Sequence, residues 1–405
     1  MSTWSEDSST SSEREPLFSH RVGLHADQSL CHTVGLRYAP LSSLLLFLLS
    51  ATSVYAGQAG ARGLTTGEAI YQAGCAGCHG SAGTGAPDTT VGFEKPATFP
   101  DFTMCNATTP ERDVDWKATI HFGGHGRGFS RIMPSFADEL TSAQIDAVIG
   151  YLRGFCREKA WPRAELNLPR GLAVEKAFPE SETVITTAVG AHHAPDVTHD
   201  LTYEQRIGPR TQLEIAVPFT THHDEAGTWV RGLGDVGLGV KRVLFANTNA
   251  IVSAQGELII PTGSKADGLG SGTAAIEAFA AYGQILPSNM FVQAQAGTVQ
   301  PWSTRDVPRA VFGRVGVGKS LRQEMGLGRQ WSPILELLAD RDFEDGAKTN
   351  VDLLPQVQVT VSRRQHIRFN LGLQIPANNT AGRSKQVVFY FLWDWFDGGF
   401  LDGWK

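Results

Sequence analysis

The chain has 405 residues, more than one small domain needs, and length alone divides it into about two or three. Its 35 basic and 41 acidic residues give a formal net charge of -6 and are interspersed, which argues against nucleic acid as a partner and leaves no charged tail to dictate a docking surface. The 44 glycines are the main departure from an ordinary folded composition.

Residues 1–36 are polar, rich in Ser, Glu and Arg, and show no periodic apolar face, so they imply no fold. Arg37 then precedes an apolar run from Leu41 to Val54, and Val54-Tyr55-Ala56 before Gly57 supplies a small-residue cleavage site. A positive n-region, an h-region of about 14 residues and a cut after Ala56 predict a secretory signal peptide, with residues 1–56 absent from the mature protein. The run is broken by serines and is shorter than a spanning helix requires. No methionine lies between Met1 and Met104, and a start at Val34 read from a GTG codon would account for the residues ahead of the signal.

Residues 57–160 carry the most specific motif, Cys75-Ala76-Gly77-Cys78-His79. In CxxCH both thiols can add to the two vinyl groups of one haem while the next imidazole is held on the iron. Thr65 and Glu68 make a T-x-x-E capping box that opens a short helix into Cys75, and Gly80, Gly83 and Gly85 let the chain turn around the haem edge. A zinc half-site or a redox CxxC is the competing reading, and no second CxxC or HxxxH follows at zinc spacing. Electron carriers of this kind usually take methionine as sixth ligand. Met104 sits beside Cys105 in a loop, whereas Met133 lies in Arg131-Ile132-Met133-Pro134-Ser135-Phe136, where proline fixes the backbone just after it. His121 and His125 flank Phe122-Gly123-Gly124 and compete on paper, although loop or C-cap histidines are the simpler reading. Thr141 and Gln144 form a second capping box, followed by Ile145, Val148, Ile149 and Leu152 at helical spacing.

Helix, CxxCH, glycine-rich loop, Met-Pro and closing helix follow the order of single-domain class I cytochromes c, and the stretch from Gly63 to about Cys156 resembles that family. The resemblance implies an all-α cytochrome c domain holding one covalently attached haem c, with the iron between His79 and Met133 and with Trp116 and Tyr151 packing the pocket. Cys75 and Cys78 are then taken by haem, and Cys31 falls in the part removed. Because haem is attached to such proteins in an oxidising compartment, Cys105 and Cys156 can pair; the alternative is two buried thiols.

Two prolines in Trp161-Pro162-Arg163 and Leu168-Pro169-Arg170-Gly171 mark a linker over residues 161–172. From 173 to 405 the period becomes two. Leu213, Ile215, Val217 and Phe219 oppose Gln212, Glu214 and Ala216; Val357, Val359 and Val361 oppose Gln356, Gln358 and Thr360; Ile367 to Ile375 repeats the pattern against His366, Arg368 and Asn370. About twelve such segments, separated by turns such as Pro261-Thr262-Gly263, Pro287-Ser288-Asn289 and Ala377-Asn378-Asn379, predict an antiparallel up-and-down β-barrel. The polar face carries Gln, Arg, Glu and Asn strand after strand, as a membrane barrel's lumen would, and the aromatic run from Phe389 to Phe396 and Phe400 to Trp404 suits an interfacial girdle. Gly232-Leu233-Gly234-Asp235 leading into Gly239-Val240-Lys241, with Leu258-Ile259-Ile260-Pro261-Thr262-Gly263, resembles outer-membrane barrels regarded as transporters, including those linked to phenol degradation.

Other motifs read as structure. His192-His193 and His222-His223 are poor chelates because neighbours on a strand face opposite ways. Gly313 to Lys319 lacks phosphate-loop spacing, and Arg363-Arg364 reads as a turn. No nucleophile, base and orienter constellation is visible.

The functional expectation is an exported monohaem cytochrome tethered to the outer membrane by its barrel, with the haem domain in the periplasm. It would exchange electrons with a soluble cytochrome or a terminal enzyme, and it would not be an enzyme because both axial ligands are retained. The second reading is a solute channel with an accessory cytochrome. A haem peroxidase would require Met133 to leave the iron.

Overall fold

The computed structural model describes residues 63–395, apart from 97–98, 191–195, 225–226, 306, 322–328 and 381–382. The expected signal peptide, the start at Val34, Cys31, the His192-His193 pair and the aromatic residues from Phe396 onward lie outside the described residues.

The first part is helical: α1 (Gly67–Gly74), α2 (Ala76–His79), α3 (Cys105–Thr108), α4 (Asp113–Phe122) and α5 (Ser142–Arg153). The cap of α1 is Thr66, one residue later than expected, and its side chain accepts from the Ala69 amide at 3.3 Å. The Thr141–Gln144 box is formed in both directions at the start of α5. Helices α1 and α5 cross with backbones nearly touching, and a Cβ on Gly67 would lie 2.0 Å from the Ala147 carbonyl oxygen. Ile70, Tyr71, Ile145, Val148, Ile149 and Leu152 close the core between them. A disulfide joins Cys105 at the head of α3 to Cys156 beyond α5, with a Cα–Cα distance of 5.1 Å.

The second part is built of strands: β1 (Glu182–Gly190), β2 (Val197–Ile207), β3 (Thr211–His223), β4 (Trp229–Leu233), β5 (Val236–Ala246), β6 (Ala250–Ile260), β7 (Ala275–Leu286), β8 (Met290–Pro301), β9 (Ala310–Lys319), β10 (Trp331–Asp342), β11 (Asn350–Thr360), β12 (Ile367–Pro376) and β13 (Gln386–Asp394). Apart from β4 and β5, which both pair with β3, consecutive strands pair antiparallel, and β1 pairs with β13 from Glu182↔Asp394 to Gly190↔Gln386, so the sheet closes. The first half of β3 pairs with β5 and the second half with β4, which makes β4 and β5 one interrupted wall of a ring of twelve. Asp235 at the interruption accepts from the Gly263 and Ser271 amides at 3.0 and 2.7 Å and ties the β6–β7 loop across it.

The faces are inverted relative to a soluble protein. Leu213, Ile215, Val357 and Leu371 are 42%, 44%, 43% and 48% exposed, whereas Gln212, Gln358 and Asn370 on the other face are almost fully buried. A wall that is apolar outside and polar inside, closed on itself through β1 and β13, is the spanning solution open to strands in a bilayer. Strands of mostly 9–13 residues match the length such a crossing requires. The three-residue turn Pro287-Ser288-Asn289 joins the partners Leu286 and Met290 and reverses the chain through Ser288 at φ 62° and Asn289 at φ 59°, both left-handed.

The two ends of the barrel differ. At the end holding the start of β1 and the finish of β13, the connections 208–210, 247–249 and 287–289 are tight turns, while 361–366 and 320–330 are longer. At the other end the links run to the eight residues 302–309 and the long stretch 261–274.

The stretch 161–181 departs from the expected linker. After a short 3-10 turn, Ala164–Leu166, it enters the lumen from the tight-turn end and returns to β1 at the same end. Its backbone is satisfied by wall side chains: the Ala173 and Val174 amides donate to Glu336, Leu172 to Gln356, Glu175 to Gln295 and Glu180 to Gln212. The Arg170 carbonyl accepts from Gln358, Asn370 and Tyr390. Its guanidinium bonds Glu182 and Glu204 at 2.9 Å each and Glu175 at 3.0 Å. Lys176 reaches Glu180 at 2.5 Å and Glu182 at 3.5 Å. Leu166 and Phe178 fill the gap between Val243, Ile251 and Phe279. The lumen in this half is therefore occupied by residues 166–178 of the chain itself.

Candidate functional site

The helical part encloses a cavity of about 380 Å³ lined by Cys75, Cys78 and His79 on one side and Met133 on another, with Phe99, Phe102 and Trp116 between. That volume falls in the range of cofactor sites, about 300–1,000 Å³. Each residue is placed by the local fold. The α1 helix runs straight into Cys75, and α2 is a single turn whose hydrogen bond from the His79 amide to the Cys75 carbonyl presents both thiols and the imidazole together. Tyr71 then fastens the following loop, its hydroxyl donating to the Gly80 carbonyl at 2.7 Å. Gly80, at φ 72°, makes a turn in which a Cβ would press on the Gly85 carbonyl at 2.7 Å.

His79 is held between rings, with Phe99 stacked at 5.0 Å and Phe102 tilted at 5.0 Å. Burial lowers its pKa to about 4, so the imidazole is neutral at physiological pH, the form in which it binds a metal. Burial, with Cys78 beside it, pushes the Cys75 thiol up to about 11, so it is present as the thiol. Both motif cysteines are free, and the remaining described pair forms the disulfide. Met133 packs against the helical core, and the Gly124 amide donates to its carbonyl at 3.0 Å. Pro134 then turns the chain so that the Phe136 amide reaches Ile120.

These residues fit a covalent haem. Two free thiols, a neutral, partly buried imidazole whose Nδ1 has no hydrogen-bond partner among the described residues, and a thioether converge on one mostly apolar cavity. The other sequence candidates divide. Trp116 and Met104 line the cavity, while Tyr151 packs outside it at 5.4 Å from Tyr71. His121 and His125 do not line it; they sit before Gly123 and in the 3-10 turn Gly124–Arg127. His223 lies against Trp229, Gly313 to Lys319 belongs to β9, and Arg364 leaves its turn to lie 4.3 Å from the Phe129 ring.

Residues that sequence reasoning did not single out complete the site. Glu111 and Arg127 line the cavity, and Arg127, 1% exposed, donates to the Arg364 carbonyl of the barrel at 2.7 Å. Arg112 reaches Gln330 and Gln365 at 3.0 and 2.9 Å, and Arg206 of β2 reaches Thr109 at 3.0 Å. The helical part is therefore seated on the tight-turn end of the barrel through charged side chains. The opposite rim of the cavity is open, with Cys78 exposed and Met104 and Ile132 49% and 42% exposed.

Residues 64–155 match the family model described as Cytochrome c. Among solved structures, an outer membrane channel from Pseudomonas putida F1 is 14% identical, with 56% of this chain and 99% of that one covered and a TM-score of 0.39. The KdgM porin is 7% identical over 52% of this chain and 99% of its own, with a TM-score of 0.35. The β domain of the Bordetella autotransporter BrkA is 14% identical over 53% and 96%, with a TM-score of 0.34. No curated protein matches the chain.

Proposed function

We propose that the cytochrome c domain at residues 64–155 is a periplasmic electron carrier moored to the outer membrane by the barrel that follows it in the chain. The observation that carries this reading is the pairing of a cavity that gathers Cys75, Cys78, His79 and Met133 with a barrel whose lumen, in the half nearer that domain, is occupied by its own residues 164–180. A bound haem supplies a one-electron couple. Cys75 and Cys78 would hold it by thioether bonds, His79 and Met133 would ligate its iron, and Phe99 and Phe102 shield the imidazole from water. Were His79 and Met133 both to stay on the iron, no position would be left for a substrate, which disfavours peroxidase chemistry.

The placement in the periplasm is supported by the end on which the domain sits. Short turns mark the periplasmic side of barrels of this type, and three of the five links at the end that holds the domain, 208–210, 247–249 and 287–289, are three-residue turns; Arg206, Gln330 and Arg364, which hold the domain, lie at that end. A single haem cannot carry electrons across a bilayer core of about 30 Å, so exchange takes place on one face. The exposed rim around Cys78, Met104 and Ile132 is where a soluble cytochrome or a terminal enzyme would approach. The plugged lumen disfavours a solute channel.

Membrane fractionation followed by a stain for covalent haem tests the whole reading: the stain should run with the outer-membrane fraction. The ferric protein should show the weak near-red band of thioether ligation, and Met133→Ala should remove it. A haem-free polypeptide, release by osmotic shock, or survival of the band in Met133→Ala would each overturn the corresponding part.

A further inference from the structure

The loop that carries Met133 is clasped by the barrel. Between Gly124 and Met133 the chain closes on itself: the Gly124 amide donates to the Met133 carbonyl at 3.0 Å and the Phe129 amide to the Gly124 carbonyl at 2.8 Å. A Cβ on Gly124 would collide with the Ser130 carbonyl oxygen and press on Met133 Cβ at 3.2 Å, so the loop has no slack at its base. Three residues at its tip meet one barrel residue. Arg127 donates to the Arg364 carbonyl at 2.7 Å, while the Arg364 guanidinium donates to the Gly128 carbonyl at 3.4 Å and lies 4.3 Å from the centre of the Phe129 ring. Arg127 and Phe129 also line the haem cavity. Arg364 is 3% exposed, and its Nε and Nη1 have no hydrogen-bond partner among the described residues, so its polar contact is spent on the loop. The turn that presents it is stiff. Residues 361–366 join β11 to β12, the Ser362 hydroxyl accepts from the His366 and Ile367 amides at 3.1 Å each, and the Val361 amide closes the hairpin on the Ile367 carbonyl at 2.7 Å.

We propose that the barrel holds the sixth ligand in place: Arg364 is a positioning residue that keeps Met133 at the iron by clasping its loop at Gly128 and Phe129. This rests on ligation by His79 and Met133 as proposed above. Arg364 does not touch the iron or its ligands and acts through the loop alone.

A thioether is a neutral ligand with no charge to hold it at the metal, so its occupancy depends on the chain that presents it. Ordering a free loop costs conformational entropy, and a loop already clasped has less to lose when its side chain binds. The closed base of the 124–133 loop passes the constraint from Gly128 and Phe129 to Met133. The anchor thereby tunes the carrier. Thioether ligation raises the potential of a c-type haem, so a domain lifted off the turn 361–366 becomes a weaker oxidant.

The test is displacement of Met133 by added imidazole in the full-length, haem-loaded, detergent-solubilised ferric protein, followed by loss of the weak near-red band. Imidazole enters only where the thioether has left, so its apparent affinity rises with the fraction of open iron. Losing a cation–ring contact and a charged hydrogen bond should raise that fraction about tenfold, so Arg364→Ala should lose the band at about one tenth of the wild-type imidazole concentration. The Arg127 bond to the Arg364 carbonyl survives that substitution. Arg364→Lys keeps a cation for the ring and should fall between the two. If Arg364→Ala does not assemble, Arg364→Gln, which keeps much of the volume and drops the charge, takes its place with the same expectation. Equal imidazole concentrations for the wild type and the Ala or Gln variant overturn the proposal. A wild type without the band, or Met133→Ala that keeps it, sinks the ligand assignment and the clasp together. A band that Met133→Ala removes and that the loss of Arg364 leaves unmoved sinks the clasp alone.

Discussion

Arg170→Gln should turn a closed anchor into a leaky channel. The guanidinium is 7% exposed and is shared by Glu182 and Glu204, both fully buried, and by Glu175. Removing one partner from a buried ion cluster costs about 3–5 kcal/mol, because the charge left behind is neither hydrated nor paired. The cost falls toward the lower end here, since Lys176 still reaches Glu182 and the Arg170 carbonyl still takes its three bonds from the wall. About 3 kcal/mol, at about 1.4 kcal/mol per tenfold, moves the docked-to-released equilibrium of the plug by about 150-fold. In planar bilayers the wild-type protein should be silent and Arg170→Gln should open repeatedly. Arg170→Gln combined with Glu204→Gln should open less often, because the orphaned charge has been removed. A single variant as silent as wild type, with an unchanged unfolding midpoint, would refute the idea that these ion pairs hold the lumen shut.

Gly67→Ala places a methyl group 2.0 Å from the Ala147 carbonyl and must part α1 from α5; thermal melts should show about 1–3 kcal/mol of destabilisation, with Gly150→Ala, whose added Cβ meets nothing, as the control. Replacing Cys105 and Cys156 by Ser opens a link across 51 residues and should cost about 4 kcal/mol in denaturant titrations. Haem-free protein should weaken in acid. Burial lowers His79 from 6.5 to about 4, so the unfolded chain takes up the proton first; stability is intact above about pH 6.5 and is lost as pH falls toward 4, by up to about 3 kcal/mol. A haem-free His79→Ala variant showing the same acid loss would assign it to other groups.

Much of the architecture is legible in the chain because it is periodic. The alternation in Gln356 to Val361 sets which side meets lipid, and its lumen residues Gln356 and Gln358 are indeed buried. Thr141 and Gln144 announce α5 through a cap that depends only on local geometry. The plug is not periodic, and that is why it reads as a linker. Pro169-Arg170-Gly171 has the composition of a spacer, and its burial depends on Glu204, Gln293, Glu336 and Tyr390, which are distant in sequence. Gly171 marks the spot in hindsight, since a side chain there would collide with Glu336. The seat of the domain is hidden in the same way: Arg364 reads as a turn, and only the seated domain places Arg127 against its carbonyl.

The plug also bears on biogenesis. It enters and leaves the lumen at one end, between Ala164 and Glu182, so the chain never threads through the ring. A domain already carrying its prosthetic group need not pass through a pore or wait for the wall to form around it. The tongue can be pushed in last, once an assembled cylinder stands beside a matured partner, and the order of maturation is left free.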